Sequence, residues 1–309
     1  MGYERIEQQI NTGGIVMLDG GTGTELERRG VVMNPQAWCG PATLENAVLL
    51  EEIHRDYISA GADIITANTF ASSRLMLEAA GFADQFEEIN KIAVESALRA
   101  RDASGRSNLL VAGSLSHMCP HSGDRDKSDL AHPVSPSEMA EAFGEMASFL
   151  CAQGCDLILL EMMYYPERMQ SIFEAAVQTG LPVWAGFSAR RNEAGQIVSH
   201  ASDSDIPFEE VVQVLDRFDV AAAGIMHTSC DVISDALNIL RNIYDGPLTA
   251  YPDSGYFTMP NWQFEKVIEP KELRRFANQW ITEGVQVLGG CCGLSPEHIA
   301  ALKPLKERD

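Results

Sequence analysis

The chain has 309 residues, 45% of them apolar, which is enough for one large buried core. Its 23 Lys and Arg stand against 44 Asp and Glu, and a net charge of −21 argues against nucleic acid or an anionic membrane surface as partner. No apolar run reaches the roughly 18 residues that span a bilayer, the polar start from Met1 to Thr12 lacks the apolar core of a secretory signal, and seven cysteines without small-domain spacing fit free thiols in a reducing cytoplasm.

Along the chain, short apolar runs alternate with amphipathic stretches. The runs predict strands at Ile15–Gly20, Ala62–Phe70, Leu109–Leu115, Asp156–Met162, Pro182–Ser188, Ala221–His227, Leu248–Asp253 and Val285–Cys291. The first predicted helix is Leu44–Ala60, with Leu44, Val48, Ile53 and Tyr57 near one face. Others follow at Asp84–Ala103, Ser137–Gln153, Glu167–Thr179, Phe208–Phe218, Val232–Tyr244, Lys271–Thr282 and Pro296–Lys303. Ser135-Pro136 and Ser295-Pro296 place a capping hydroxyl before a Pro suited to the first turn. Gly61, Gly154, Gly180 and Gly284 stand where left-handed C-caps are expected.

Eight strand–helix units imply an α/β fold with a closed parallel sheet, a (β/α)8 TIM barrel, as one domain over residues 1–309. A doubly wound open sheet would gather its polar residues at one crevice. Here a polar or metal-binding residue closes every strand: Asp19, Asn68, Ser114, Glu161, Ser188, His227, Asp253 and the pair Cys291-Cys292. The longest irregular stretches, Ser116–Val134 and Arg190–Ile206, are expected as loops over that face.

The sharpest feature is Gly289-Gly290-Cys291-Cys292-Gly293. Neighbouring residues on a regular strand point to opposite faces, so both thiols can reach one metal only where the strand has ended or bulged. The flanking glycines permit that distortion. Two buried inert cysteines are the plain alternative. Zinc favours Cys and His in tetrahedral sites and keeps one position open where it is catalytic. His227 is the best third ligand, with Cys230 as runner-up. His117, Cys119 and His121 cluster in the loop after the third strand, where a covering loop is a better reading than a metal site. Gly20-Gly21-Thr22-Gly23 could cradle an anion on backbone amides. No phosphate-binding glycine motif follows a strand, so nucleotide binding is not expected.

Taken together these motifs resemble the homocysteine S-methyltransferase family, which includes the homocysteine-binding module of cobalamin-dependent methionine synthase and the betaine-dependent enzymes. The resemblance runs almost end to end. It covers Leu18 to Leu26, Tyr57 to Phe70, Gly113-Ser114-Leu115, Leu160-Glu161, Tyr251 to Gly255 and Gly289 to Gly293. It implies a barrel with zinc held by three Cys, two of which match Cys291 and Cys292. The third normally follows Gly-x-Asn, where this chain reads Gly224-Ile225-Met226-His227. The family's Tyr-Pro-Asn is Tyr251-Pro252-Asp253 here, and the Thr common after the fourth-strand Glu is Met162. Asp19, Gly20, Gly21 and Glu161 match positions that hold the amino acid part of homocysteine. Asn68, Ser188 and Asp253 are expected to line the same site.

The implied reaction is zinc-dependent methyl transfer from a sulfonium or ammonium donor to a thiol, homocysteine giving methionine. A neutral imidazole in place of one thiolate makes the metal centre less negative and retunes it. The competing readings are the same zinc barrel acting on a different small sulfur compound, and a non-catalytic zinc- or ligand-binding barrel. The expected partners are thus a small-molecule thiol and a methyl donor, not nucleic acid or membrane, in a cytoplasmic protein with an oligomer possible.

Overall fold

In a computed structural model that describes residues 2–120 and 134–307, the predicted strands form one parallel sheet of eight. They are β1 (Val16–Met17), β2 (Ile64–Thr66), β3 (Leu110–Ser116), β4 (Leu157–Met163), β5 (Val183–Phe187), β6 (Ala222–Met226), β7 (Leu248–Tyr251) and β8 (Val285–Leu288). The order in the sheet is β1-β8-β7-β6-β5-β4-β3-β2. Leu18 bridges Ile64 in parallel, Asp63 N–H donates to Met17 O at 2.7 Å and Asp19 N–H to Ile64 O at 3.1 Å, so the two ends meet and the sheet closes.

Each strand is buried on both faces, as a helix-covered parallel sheet requires, and its side chains alternate between two cores. Val16, Leu18, Ile64, Leu110, Ala112, Leu157, Leu159, Trp184 and Val287 fill the barrel. Their neighbours Met17, Ile65, Val111, Ile158, Leu160, Ala185 and Leu288 pack outward against the helices. A helix absent from the sequence reading, Gly2–Asn11, seals the lower end with Ile6 and Ile10. Trp184 Nε1 donates to its Tyr3 hydroxyl at 2.9 Å.

β3 and β4 lie one residue later than predicted, and the other six strands are shorter, because their ends bend into the loops of the upper face. Ser135 and Ser295 form the expected caps, each with a reciprocal bond from the third helical residue, and all four helix-ending glycines are left-handed. Val48 is corrected: it is 74% exposed, because Ala47–Ala60 turns Leu50, Ile53, Tyr57 and Ile58 inward instead. The predicted Val232–Tyr244 begins earlier, at Cys230, and ends at Leu240. Phe208–Phe218 is a short helix, Phe208–Val212, followed by a 3-10 turn.

Two hairpins rise over the upper face, Ala189–Arg191 with Ile197–Ser199 and Tyr256–Thr258 with Asn261–Gln263. The first corrects the irregular loop expected at Arg190–Ile206. Among the described residues, no helix is long and apolar enough to cross a membrane.

Candidate metal and amino acid site

The period-2 alternation that fills the barrel continues upward into the polar layer. Above Leu110 and Ala112 comes Ser114, above Leu157 and Leu159 comes Glu161, and above Val287 come Gly289 and Cys291. The upper face is therefore the continuation of an inward-facing column, built on the rigid end of the barrel.

β6 and β8 deliver the candidate metal-binding set. Nδ1 or Nε2 of His227 and the sulfurs of Cys291 and Cys292 lie within 4.8 Å of one another. His227 Nδ1 is 3.5 Å from Cys291 Sγ, and the two sulfurs are 3.9 Å apart. β8 ends at Leu288, so the cysteines sit beyond the regular strand, as their adjacency demands. Gly293 has a φ of +81°, and a Cβ there would meet Ser254 O at 1.8 Å, so only Gly can turn the chain at this point. His227 is a non-glycine residue with a φ of +42°, which swings its ring off the end of β6 toward the thiols. Sulfur so close to sulfur, together with burial, holds the Cys291 thiol well above its ordinary pKa. A cation between them reverses that, because it favours the thiolate. Two thiols and an imidazole suit a metal such as zinc.

Beside this trio lies a cavity lined by Asp19, Gly20, Gly21, Thr22, Asn68 and Glu161, with Cys291 and Cys292 in its wall. Asp19 accepts from Thr66 N–H at 2.7 Å and from Thr66 Oγ1 at 2.8 Å. Glu161 accepts from Ser114 Oγ. Burial pushes both carboxyls up to about 7, against the lowering effect of these hydrogen bonds. What Glu161 leaves open faces the cavity, where an ammonium would complete it. Gly21 packs on the cysteine loop so tightly that a Cβ would reach Cys291 O at 2.6 Å. One expectation changes here: Gly21 N–H already donates to Leu294 O at 3.1 Å, so it is not available to an anion. The buried Thr22 hydroxyl next to it has no hydrogen-bond partner among the described residues. The Asn68 amide turns to Cys39 and Thr43 and shapes the wall.

A second cavity opens on the far side of Cys292 and Met162. It is lined by Trp38, Phe70, Tyr164, His200, Phe257 and Trp262, with His227 in its wall. His200 packs edge-on to His227 with ring centroids 5.1 Å apart, and Trp262 does so at 5.7 Å. Burial lowers His200 to about 3, so its ring is neutral. Phe257 and Trp262 come from the hairpin after β7, and His200 follows the hairpin after β5. The sequence reading missed all three. The signal available for the hairpin before His200 was Asn192 to Gln196, whose Gly195 adopts φ +82° in a hairpin turn.

Ser188 does not reach either cavity: it is fully buried and donates to Met226 O at 3.0 Å, bracing the strand before His227. Cys230 opens the helix after β6 and lies outside the metal-binding set. Cys119 also lies outside it. His117 is fully buried, and its Nε2 accepts from Tyr164 and Tyr165 N–H at 3.1 Å each, so it is a structural residue. His121 lies outside the described residues. Asp253, expected at the substrate, instead faces His227, with Oδ2 3.8 Å from its Nε2.

The model of the homocysteine S-methyltransferase family matches residues 16–305. Homocysteine S-methyltransferase of Escherichia coli (strain K12) is 29% identical over 301 residues, covering 94% of each chain. Selenocysteine Se-methyltransferase of Brassica oleracea var. italica is 26% identical over 97% of this chain and 91% of its own. Among solved structures, the metallated form of the homocysteine methyltransferase MmuM from Escherichia coli matches with a TM-score of 0.76 at 28% identity, over 94% of this chain and 96% of that one.

Proposed function

We propose, from the premise that the chain belongs to the homocysteine S-methyltransferase family, that it moves a methyl group from a sulfonium or ammonium donor onto the sulfur of homocysteine, giving methionine. The observation that carries this reading is one cavity lined by two carboxylates and both cysteines, with His227, the third zinc-type donor, within 4.8 Å of the two sulfurs. His227, Cys291 and Cys292 would hold the zinc, whose charge keeps a substrate thiol ionised at neutral pH.

The chain's own groups do the rest. Asp19 and Glu161 take the substrate ammonium, and the Thr22 hydroxyl with the Gly20 backbone takes its carboxylate. That places the sulfur at Cys292 and Met162, which line both cavities. The aromatic chamber takes the donor. Faces of Trp262, Phe257 and Tyr164 attract a cationic methyl group without a counter-charge, and the neutral His200 does not repel it. The chamber also aligns the two reactants and excludes water. As the sulfur–methyl bond forms, the donor's carbon–sulfur or carbon–nitrogen bond breaks, and the donor departs neutral with the electron pair.

A second reading keeps the zinc barrel but gives it another small thiol, which the His227 and Asp253 departures favour. The experiment for both is product analysis by mass spectrometry with a panel of thiols against sulfonium and quaternary ammonium donors. Zinc-dependent methionine formation from homocysteine is the expected result. Methylation of a different thiol alone would favour the second reading, and no turnover by zinc-loaded protein with any pair would overturn both.

A further inference from the structure

We propose that Asp253 is a positioning residue for the metal site: its carboxylate holds the Nε2–H of His227, so that the Nδ1 lone pair faces the two cysteine sulfurs. This rests on the reading of His227, Cys291 and Cys292 as a zinc site. A neutral imidazole carries its proton on one ring nitrogen and a lone pair on the other, and the partner of the first decides which is which. In this site the two nitrogens face opposite partners. Nδ1 is 3.5 Å from Cys291 Sγ, and Nε2 is 3.8 Å from Asp253 Oδ2. The latter is ion-pair range, one small ring adjustment from a hydrogen bond.

The carboxylate has little freedom to leave. Cys291 N–H donates to Pro252 O at 2.7 Å and Ser254 N–H to Cys292 O at 2.9 Å, so the cysteine loop clamps the chain on both sides of Asp253. The ring contacts to His227 include the edges of His200 and Trp262, neither of which carries a negative charge. The two departures from the Gly-x-Asn-Cys and Tyr-Pro-Asn pattern therefore meet in space. A cysteine ligand has no second nitrogen to orient, whereas a histidine ligand does. The carboxylate also returns, one layer out, the negative charge lost when a thiolate is replaced by imidazole.

The test is a zinc titration of metal-stripped protein against a chromophoric chelator, on the unmodified chain, D253N, D253E, H227C and H227C/D253N, with melting temperatures of each metal-free form. D253N is expected to weaken zinc binding roughly ten- to a hundredfold, D253E to restore most of it, and metal-free melting temperatures to stay level. In the H227C background the same D253N change should alter affinity by less than about threefold. An equal loss in both backgrounds, or no loss in the His227 protein, overturns the proposal and leaves the zinc site standing. No zinc binding by the unmodified chain overturns the zinc site itself. If H227C does not fold, D253N against D253E decides alone, and equal losses by the two overturn the proposal.

Discussion

His227 Nδ1 lies 3.5 Å from Cys291 Sγ, although 64 residues and the whole of β7 separate them. The contact exists because β6 and β8 flank β7 in the closed sheet, and because both residues stand just past the regular end of their strand.

Replacing Cys291 or Cys292 by Ala removes one of three metal donors. Zinc content and methyl transfer are both expected to fall to background, measured by metal analysis and product formation. Full activity in either variant would contradict a metal-dependent mechanism.

His227→Cys is expected to keep stoichiometric zinc, since a thiolate reaches the same neighbours, while shifting the ranking of thiols in a competition assay. Loss of metal in a folded variant would show that His227 does not occupy a ligand position.

Asp19→Asn and Glu161→Gln should each weaken binding of an amino thiol while leaving zinc in place. A lost charge-assisted hydrogen bond costs about 1.5–3 kcal/mol, or roughly ten- to a hundredfold in affinity. Calorimetric titration with homocysteine, alongside melting temperature, separates this from a structural role. Unchanged affinity with a large drop in melting temperature would mean that both carboxyls only brace the rim.

The same carboxyls set a pH dependence. Both are raised to about 7, chiefly by burial, and an ammonium requires them ionised. Affinity for methionine, which carries the ammonium but no thiol to titrate, should therefore weaken as pH falls below 7 and level off above 8. Glu161→Gln should flatten the profile. A profile that rises toward acid pH would contradict the assignment.

His54 lies away from this chemistry. It is fully buried on Ala47–Ala60, neither ring nitrogen has a hydrogen-bond partner among the described residues, and burial lowers it to about 4. A histidine lowered from 6.5 favours the folded state above pH 6.5, and that advantage is lost as pH falls toward 4. His54→Leu removes the loss. It should raise the melting temperature at pH 5 more than at pH 8, by an effect on the order of 2 kcal/mol at pH 5. Equal shifts at both pH values would mean that packing alone is responsible.

The barrel was legible in the sequence because a parallel sheet covered by helices needs apolar runs, and runs such as Leu157–Leu160 have no other place to go. The clustering of His227 with Cys291 and Cys292 was legible because two adjacent cysteines between glycines have few structural uses. Ser188 was misread for a physical reason: the period of a strand fixes the face on which a residue lies, not the partner it finds there. Val48 was misplaced because a four-residue spacing fits two neighbouring stripes of one helix. The aromatic chamber was not legible at all. Trp262 and Phe257 reach it from a hairpin, where burial against a cavity leaves no periodic trace. Nor could spacing reveal that Asp253 serves His227, since that depends on how three loops cross.

The most direct measurement of the central claim is zinc-edge X-ray absorption on the purified protein, before and after homocysteine is added. The account predicts one zinc per chain with two sulfurs and one imidazole nitrogen, and a third sulfur when homocysteine binds. A protein without stoichiometric zinc, a first shell with no nitrogen, or a sulfur count unmoved by saturating homocysteine would contradict it.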